Sequence, residues 1–164
     1  MKLTQYSDLG LRLLMYLAMH HGESVTIQEV SVRFAVSKNH LVKISHQLTK
    51  SGLIESIRGR NGGVRLATSP ASISVEQALL ATEDNFDLVE CFSENNHCVI
   101  TDVCKLSGVL DDAREAFFGV LRQVTLADLV RSKKTLERTL MPLPRKSTVK
   151  FYPQPTSSAR KSAK

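Results

Sequence analysis

The chain is sparing with cysteine: Cys91, Cys98 and Cys104 are the only three in 164 residues. An odd number confined to one short stretch is no disulfide framework. There is no apolar run long enough to cross a bilayer. The nearest, residues 9–19 after Lys2, is preceded by Asp8 and broken by Arg12, and no small-x-small cleavage site follows it. We therefore read it as the core helix of a cytoplasmic protein with no membrane partner. That helix should cover about residues 4–20, with Tyr6, Leu9, Leu13, Tyr16 and Leu17 at helical spacing and Gly22 ending it. Also missing are the Gly-Lys-Ser/Thr of a nucleotide-binding loop and the Cys-x2-Cys of a zinc ribbon or thioredoxin motif.

Basic residues are absent from one region and crowded into others. Residues 66–104 hold seven acids and no Lys or Arg, whereas residues 33–65 hold seven cations and one acid, Glu55. Residues 131–164 carry +9, more than the whole chain's +6, so residues 1–130 are left at −3. Net charge alone thus says nothing about the body, but its distribution does. A basic face beside an acidic lobe suits a DNA-binding module joined to something else, although a merely solvated surface would look similar. At 42% hydrophobic, the chain can bury one core and a small appendage.

The stretch 26–66 is the most informative. Thr26-Ile27-Gln28-Glu29 reads as a capping box opening a helix that turns Ile27, Val30 and Phe34 to one side. Ala35-Val36 makes a short turn, and Ser37 can cap a second helix that buries Leu41, Ile44 and Leu48 and stops at Gly52. Two short apolar runs then flank Arg58-Gly59-Arg60-Asn61-Gly62-Gly63, and Asn-Gly between such runs signals a hairpin. Two helices, a tight turn and a hairpin make a winged helix-turn-helix. The N-terminal residues of a recognition helix meet base edges and later cations meet phosphate. This places Lys38, Asn39 and His40 near bases and Lys43 and Lys50 near the backbone. Arg58 and Arg60 on the wing suit phosphate or the minor groove. The full candidate set is Gln28, Ser37, Lys38, Asn39, His40, Lys43, Lys50, Arg58, Arg60 and Asn61.

Beyond Pro70, Ser74-Val75-Glu76-Gln77 is a second capping box, opening a helix to about Glu83. A helix-free acidic stretch follows and carries the cysteines; so long a loop is usually functional or disordered. From Lys105 the residues Leu106, Leu110, Ala113, Phe117, Val120 and Val124 step 4-3-4-3-4. That is the seam of a helix pairing with a partner helix, or core packing against the winged helix. Thr125-Leu126-Ala127-Asp128 caps another short helix, and Pro142, Pro144, Pro153 and Pro155 mark a basic tail. The expected fold is mainly α with a small hairpin wing, plus a long dimerisation helix. Its parts are 1–70 (winged helix-turn-helix), 71–104 (helix and cysteine loop), 105–140 (dimerisation helix and short C-terminal helix) and 141–164 (disordered basic tail).

The spacing Cys-x6-Cys-x5-Cys leaves three chemistries open. Three thiolates and one further ligand can hold an iron–sulfur cluster. His97 could complete a structural zinc site, although its neighbour Cys98 makes the reach awkward. A thiol enzyme would need a paired base or a close resolving cysteine, and neither is seen.

Several runs carry a resemblance: Leu3-Thr4, Ser7-Asp8-Leu9-Gly10-Leu11-Arg12, Val36-Ser37-Lys38-Asn39-His40-Leu41-Val42-Lys43-Ile44, Arg58-Gly59-Arg60-Asn61-Gly62-Gly63-Val64-Arg65-Leu66, Thr125-Leu126-Ala127-Asp128-Leu129-Val130, and the three cysteines. The chain resembles the iron–sulfur winged-helix regulators, and within them the nitric-oxide-sensitive repressors of the NsrR type, over about residues 1–131. The resemblance implies a non-enzymatic homodimeric repressor on a palindromic double-stranded DNA operator, which it releases when nitric oxide reaches its cluster. It implies one cluster per subunit, two-iron (2Fe-2S) or four-iron (4Fe-4S), held by Cys91, Cys98 and Cys104 with a variable fourth ligand. The cluster-biogenesis branch has a histidine three residues after its last cysteine; here that place is Ser107. In some members an aspartate at the position of Asp8 binds the partner subunit's cluster. Asp8 also lies one turn before Arg12 and can pair with it instead. The step from Cys91 to Cys98 is longer than is usual in the family.

Overall fold

The computed structural model describes residues 3–59 and 62–140; Arg60, Asn61 and the expected tail 141–164 lie outside the described residues. Helix α1 (Gln5–Met19) starts where the Thr4 hydroxyl accepts the Ser7 N–H at 3.2 Å. It runs through the centre of the molecule, with Leu13, Leu14 and Leu17 fully buried. Burying each such side chain contributes about 1.5–3 kcal/mol. Helix α2 (Ile27–Phe34) is capped by Thr26, whose hydroxyl accepts the Glu29 N–H at 3.1 Å. The expected capping box is only half made. The Glu29 carboxylate instead accepts the Tyr16 hydroxyl at 2.7 Å, because a buried phenol needs an acceptor more than an exposed cap does.

The turn after α2 puts Ala35 in the left-handed region at φ 53°. It is closed from both sides: Ser31 O accepts the Val36 N–H at 3.0 Å, and Ser31 Oγ donates to Val36 O at 2.7 Å. Helix α3 (Lys38–Lys50) follows, burying Leu41, Ile44 and Leu48 against α1. Ser37 has the extended backbone of an N-cap, but its side chain makes no cap bond, contrary to expectation. Gly52 ends the helix region at φ +76°, as its position predicts.

Strands β1 (Ile54–Ile57) and β2 (Gly63–Leu66) form the antiparallel wing, from Ile54↔Leu66 to Ile57↔Gly63. Val25 adds a third contact line, exchanging bonds of 3.0 and 2.8 Å with Val64. Gly63 is needed there, since a Cβ would collide with the Val25 carbonyl. The hairpin forms as expected, and at its tip the Gly62 N–H donates to Gly59 O at 3.0 Å.

Helix α4 (Val75–Leu80) carries a complete capping box between Ser74 and Gln77. It stops short of the expected Glu83, where the Thr82 hydroxyl turns back onto the Ala78 and Leu79 carbonyls at 3.0 and 3.2 Å. After the cysteine loop come α5 (Lys105–Arg122), α6 (Leu126–Leu129) and α7 (Lys133–Leu140). A second complete box, Thr125 with Asp128, opens α6. The two boxes sit back to back through the Ser74↔Thr125 bridge, and Arg122 grips the Glu76 carboxylate beside them. Leu126 and Ala78 are fully buried with Leu13 and Ile44, so the winged-helix core recruits residues well past 70. Leu136 and Leu140 of α7 pack onto the same core.

Helix α5 buries only Phe118, which stacks edge-on against Phe86 at 4.8 Å between ring centres. Along the 4-3 stripe, Leu106 and Val120 stand 60% and 64% exposed. At these two positions the stripe is not covered by the core of its own chain, while Leu110, Phe117 and Val124 are half-buried.

Candidate nucleic-acid interface and cysteine loop

The exposed face of α3 carries Lys38, Asn39, His40, Lys43, His46 and Lys50. Opposite, Leu41, Ile44 and Leu48 lock the helix to α1, so the polar face is presented by a rigid element. Ser37 is exposed with its hydroxyl not engaged in capping, and Gln28 is exposed on α2. Arg58 is exposed at the wing beside Gly59, whose φ of +115° makes the sharp turn. Arg60 and Asn61 complete the candidate set but lie outside the described residues.

Among the described residues, one of the seven cations counted along residues 33–65 is paired with a carboxylate and another faces a recess. Arg65 pairs with Glu55 across the hairpin at 2.6 Å, as their register dictates. Arg33 lines a recess with Tyr16, Met19, His20, Glu29, Glu137 and Leu140. Lys38, Lys43, Lys50 and Arg58 pair with no carboxylate among the described residues. A cation with no internal partner keeps its full charge for a phosphate. The Tyr16–Glu29 bond was not foreseen; burial, then that bond, pushes the Tyr16 pKa up to about 12.

The cysteine loop is ordered by residues that sequence reasoning passed over. Cys91 lies in a 3-10 turn, Glu90–Phe92, and a second such turn, Thr101–Val103, leads to Cys104, so the stretch is not wholly irregular. Asn96 shapes the bend at Cys98. Its Oδ1 accepts the Cys98 N–H at 2.9 Å, and its Nδ2 donates to Thr101 Oγ1 at 2.9 Å. Thr101 in turn donates to Cys98 O at 2.8 Å. An asparagine two residues before the bonded amide was the available signal. Phe92 lies under the Arg114 guanidinium, 5.0 Å from the ring centre, which ties the Cys91 turn to α5.

All three thiols are free and half-buried, and Cys104 is the N-cap of α5 with no side-chain cap bond. Soft thiolates on one loop are the donor chemistry an iron–sulfur group takes. The donors fit, but they are not assembled: among the described residues no three His, Cys, Asp or Glu side chains form a group able to hold a metal ion. His97 is exposed, and its backbone N–H donates to the Glu90 carboxylate at 3.1 Å. Asp8 is occupied by Arg12, at 2.7 Å in a half-exposed pair, the alternative its spacing offered. No described helix is long and apolar enough to cross a membrane.

A recognition helix locked to a core and flanked by a basic wing is the apparatus of a winged helix-turn-helix DNA-binding protein. The comparisons agree. The chain belongs to the Rrf2 family, described as iron-dependent transcriptional regulators, whose family model matches residues 3–132. It is 45% identical over 142 residues to the HTH-type transcriptional regulator NsrR of Halalkalibacterium halodurans, covering 85% of this chain and 97% of that one. The NsrR of Bacillus subtilis is 44% identical over the same span, with 85% and 97% covered. Among solved structures, T. potens IscR superposes with a TM-score of 0.66 at 25% identity, covering 81% of this chain and 88% of that one. The global cysteine regulator CymR of B. subtilis, at a TM-score of 0.64 and 24% identity, covers 80% and 98% and shares the fold.

Proposed function

We propose that this chain is a homodimeric transcriptional repressor that binds a palindromic operator and lets it go on exposure to nitric oxide. The observation that carries the reading is the union of two features in one chain. A cationic recognition helix with no carboxylate partner among the described residues stands on the same core as an acidic loop bearing three free thiols. Similarity to NsrR proteins over nearly their whole length supports nitric oxide as the signal.

Cys91, Cys98 and Cys104 would hold an iron–sulfur group, one per subunit, two-iron or four-iron. When bound, it supplies iron that nitric oxide can ligate. Asp8 of a second copy is the fourth ligand we favour; a hard carboxylate is a weak partner for such iron, and Asp8 can fall back on Arg12. The remaining work is the chain's. The exposed stripe of α5 joins two copies, setting two recognition helices about one DNA turn apart. Lys38, Asn39 and His40 face base edges, while Lys43, Lys50, Arg58 and Arg60 meet phosphate and Gln28, Ser37 and Asn61 fill the rim.

The likeness to T. potens IscR keeps a regulator of cluster biogenesis as a second reading. Ser107, in place of that branch's histidine, weighs against it. Selection of duplexes from a random pool under anaerobic conditions tests the proposal. A palindrome with half-sites about one turn apart is expected, with binding lost on adding a nitric-oxide donor. An asymmetric site, or binding indifferent to the donor, would refute it.

A further inference from the structure

Three consecutive residues lead from α4 into the cysteine loop, and each is gripped by the DNA-binding body. The Ala81 carbonyl accepts Gln47 Nε2 of α3 at 2.8 Å. Thr82 is buried, and its methyl lies so close to α1 that a Cβ on Gly10 would come within 2.9 Å of it. Glu83 accepts the backbone N–H of Thr4, the cap of α1, at 2.7 Å. Two of these grips hold α1, the fixed centre of the core. Only the Gln47 bond reaches the recognition helix.

Farther along, the loop is pinned to α5 by Phe86 on Phe118 and by Phe92 under Arg114. Gathering the three thiols at one point requires the loop to rearrange between its α4 and α5 ends. A rearrangement that shifts Ala81 carries the Gln47 amide with it, because hydrogen bonds weaken steeply off axis. An apolar side chain at position 47 would fill the same half-buried space without following it.

We infer that Gln47 is the positioning residue through which the state of the cysteine loop sets the recognition helix. The inference rests on the reading above that this loop carries the signal, but its test does not need iron. Full-length, iron-free protein is alkylated with iodoacetamide at its three cysteines, and amide exchange across residues 44–50 is followed by NMR. Alkylation should speed those amides about fivefold in wild type, roughly the factor for one hydrogen bond weakened. In Gln47→Met they should not respond. An equal response in the variant, or none in wild type, overturns the inference; a merely structural bond would change the starting rates but not abolish the response. Should Gln47→Met fail to fold, Gln47→Asn, one methylene too short to reach Ala81, takes its place with the same expectations. Operator affinity of wild type with and without iron is measured separately. No difference there would sink the regulatory reading, while the exchange data still decide the role of Gln47.

Discussion

Gly10 sits inside α1, where glycine costs about 1 kcal/mol relative to alanine. Taken alone, Gly10→Ala should therefore stabilise the protein. The structure predicts the opposite. The new Cβ would lie 2.9 Å from Thr82 Cγ2 and 3.6 Å from Ile44 Cγ2. Thr82 cannot swing aside, because its hydroxyl is bonded to the Ala78 and Leu79 carbonyls in a buried setting. Overpacking of this kind costs about 1–3 kcal/mol, so the net effect should be a loss of about 0–2 kcal/mol. Thr82→Ser deletes the offending methyl and keeps the hydroxyl; alone it should cost about 1 kcal/mol for the missing group. In the double variant the alanine methyl takes the vacated space. The two changes should then couple favourably by about 1–3 kcal/mol. Urea unfolding of the four proteins at one concentration measures this. A Gly10→Ala protein about 1 kcal/mol more stable than wild type, or a coupling energy near zero, would refute the reasoning.

Tyr16 gives a pH signature. Its pKa is raised from 10.0 to about 12 in the folded state, so its contribution is complete below pH 10 and is lost as pH climbs towards 12. The stability gap between wild type and Tyr16→Phe, followed by urea midpoint, should accordingly shrink over that range; a constant gap would contradict the raised pKa that burial and the Glu29 bond produce. Val120→Glu places a charge on the exposed stripe of α5 without touching the core. Sedimentation should show a folded monomer with weakened palindrome binding, whereas an undisturbed dimer would mean the stripe is not the interface. Asn39→Ala should cost about 1–3 kcal/mol at one base position. Lys43→Ala should weaken all sequences alike and lower the salt slope by about one. Anisotropy on specific and random duplexes separates the two, and interchanged outcomes would reverse the assigned roles.

The sequence made the winged helix legible because its cues are local. Thr26, Ser74 and Thr125 stand before apolar periodic runs, and all three cap helices. Gly52 and the glycine-rich wing mark turns that only their own backbone needs. What failed to show was decided at a distance. Glu29 deserts its cap for Tyr16, thirteen residues away. Arg65, counted among the cations facing outward, is met by Glu55 only once the hairpin register exists. The Gln47 bond to Ala81 spans 34 residues and has no signature in spacing. The cysteines named the chemistry of the loop, but their arrangement in space is a matter of the loop's fold, and here they stand unassembled. The stripe on α5 was visible as periodicity, which cannot tell an outer face from an inner one; only the exposure of Leu106 and Val120 does that.

The central claim is that Cys91, Cys98 and Cys104 hold iron and sulfide in a DNA-binding regulator of this fold. Native mass spectrometry of anaerobically isolated protein, with the visible spectrum recorded on the same sample, tests it most directly. The account predicts a brown protein whose mass exceeds the polypeptide by a two-iron or four-iron cluster per subunit, and each Cys→Ser variant should lose both mass and colour. A colourless protein carrying one zinc per subunit, or an iron–sulfur mass that survives Cys98→Ser, would contradict it.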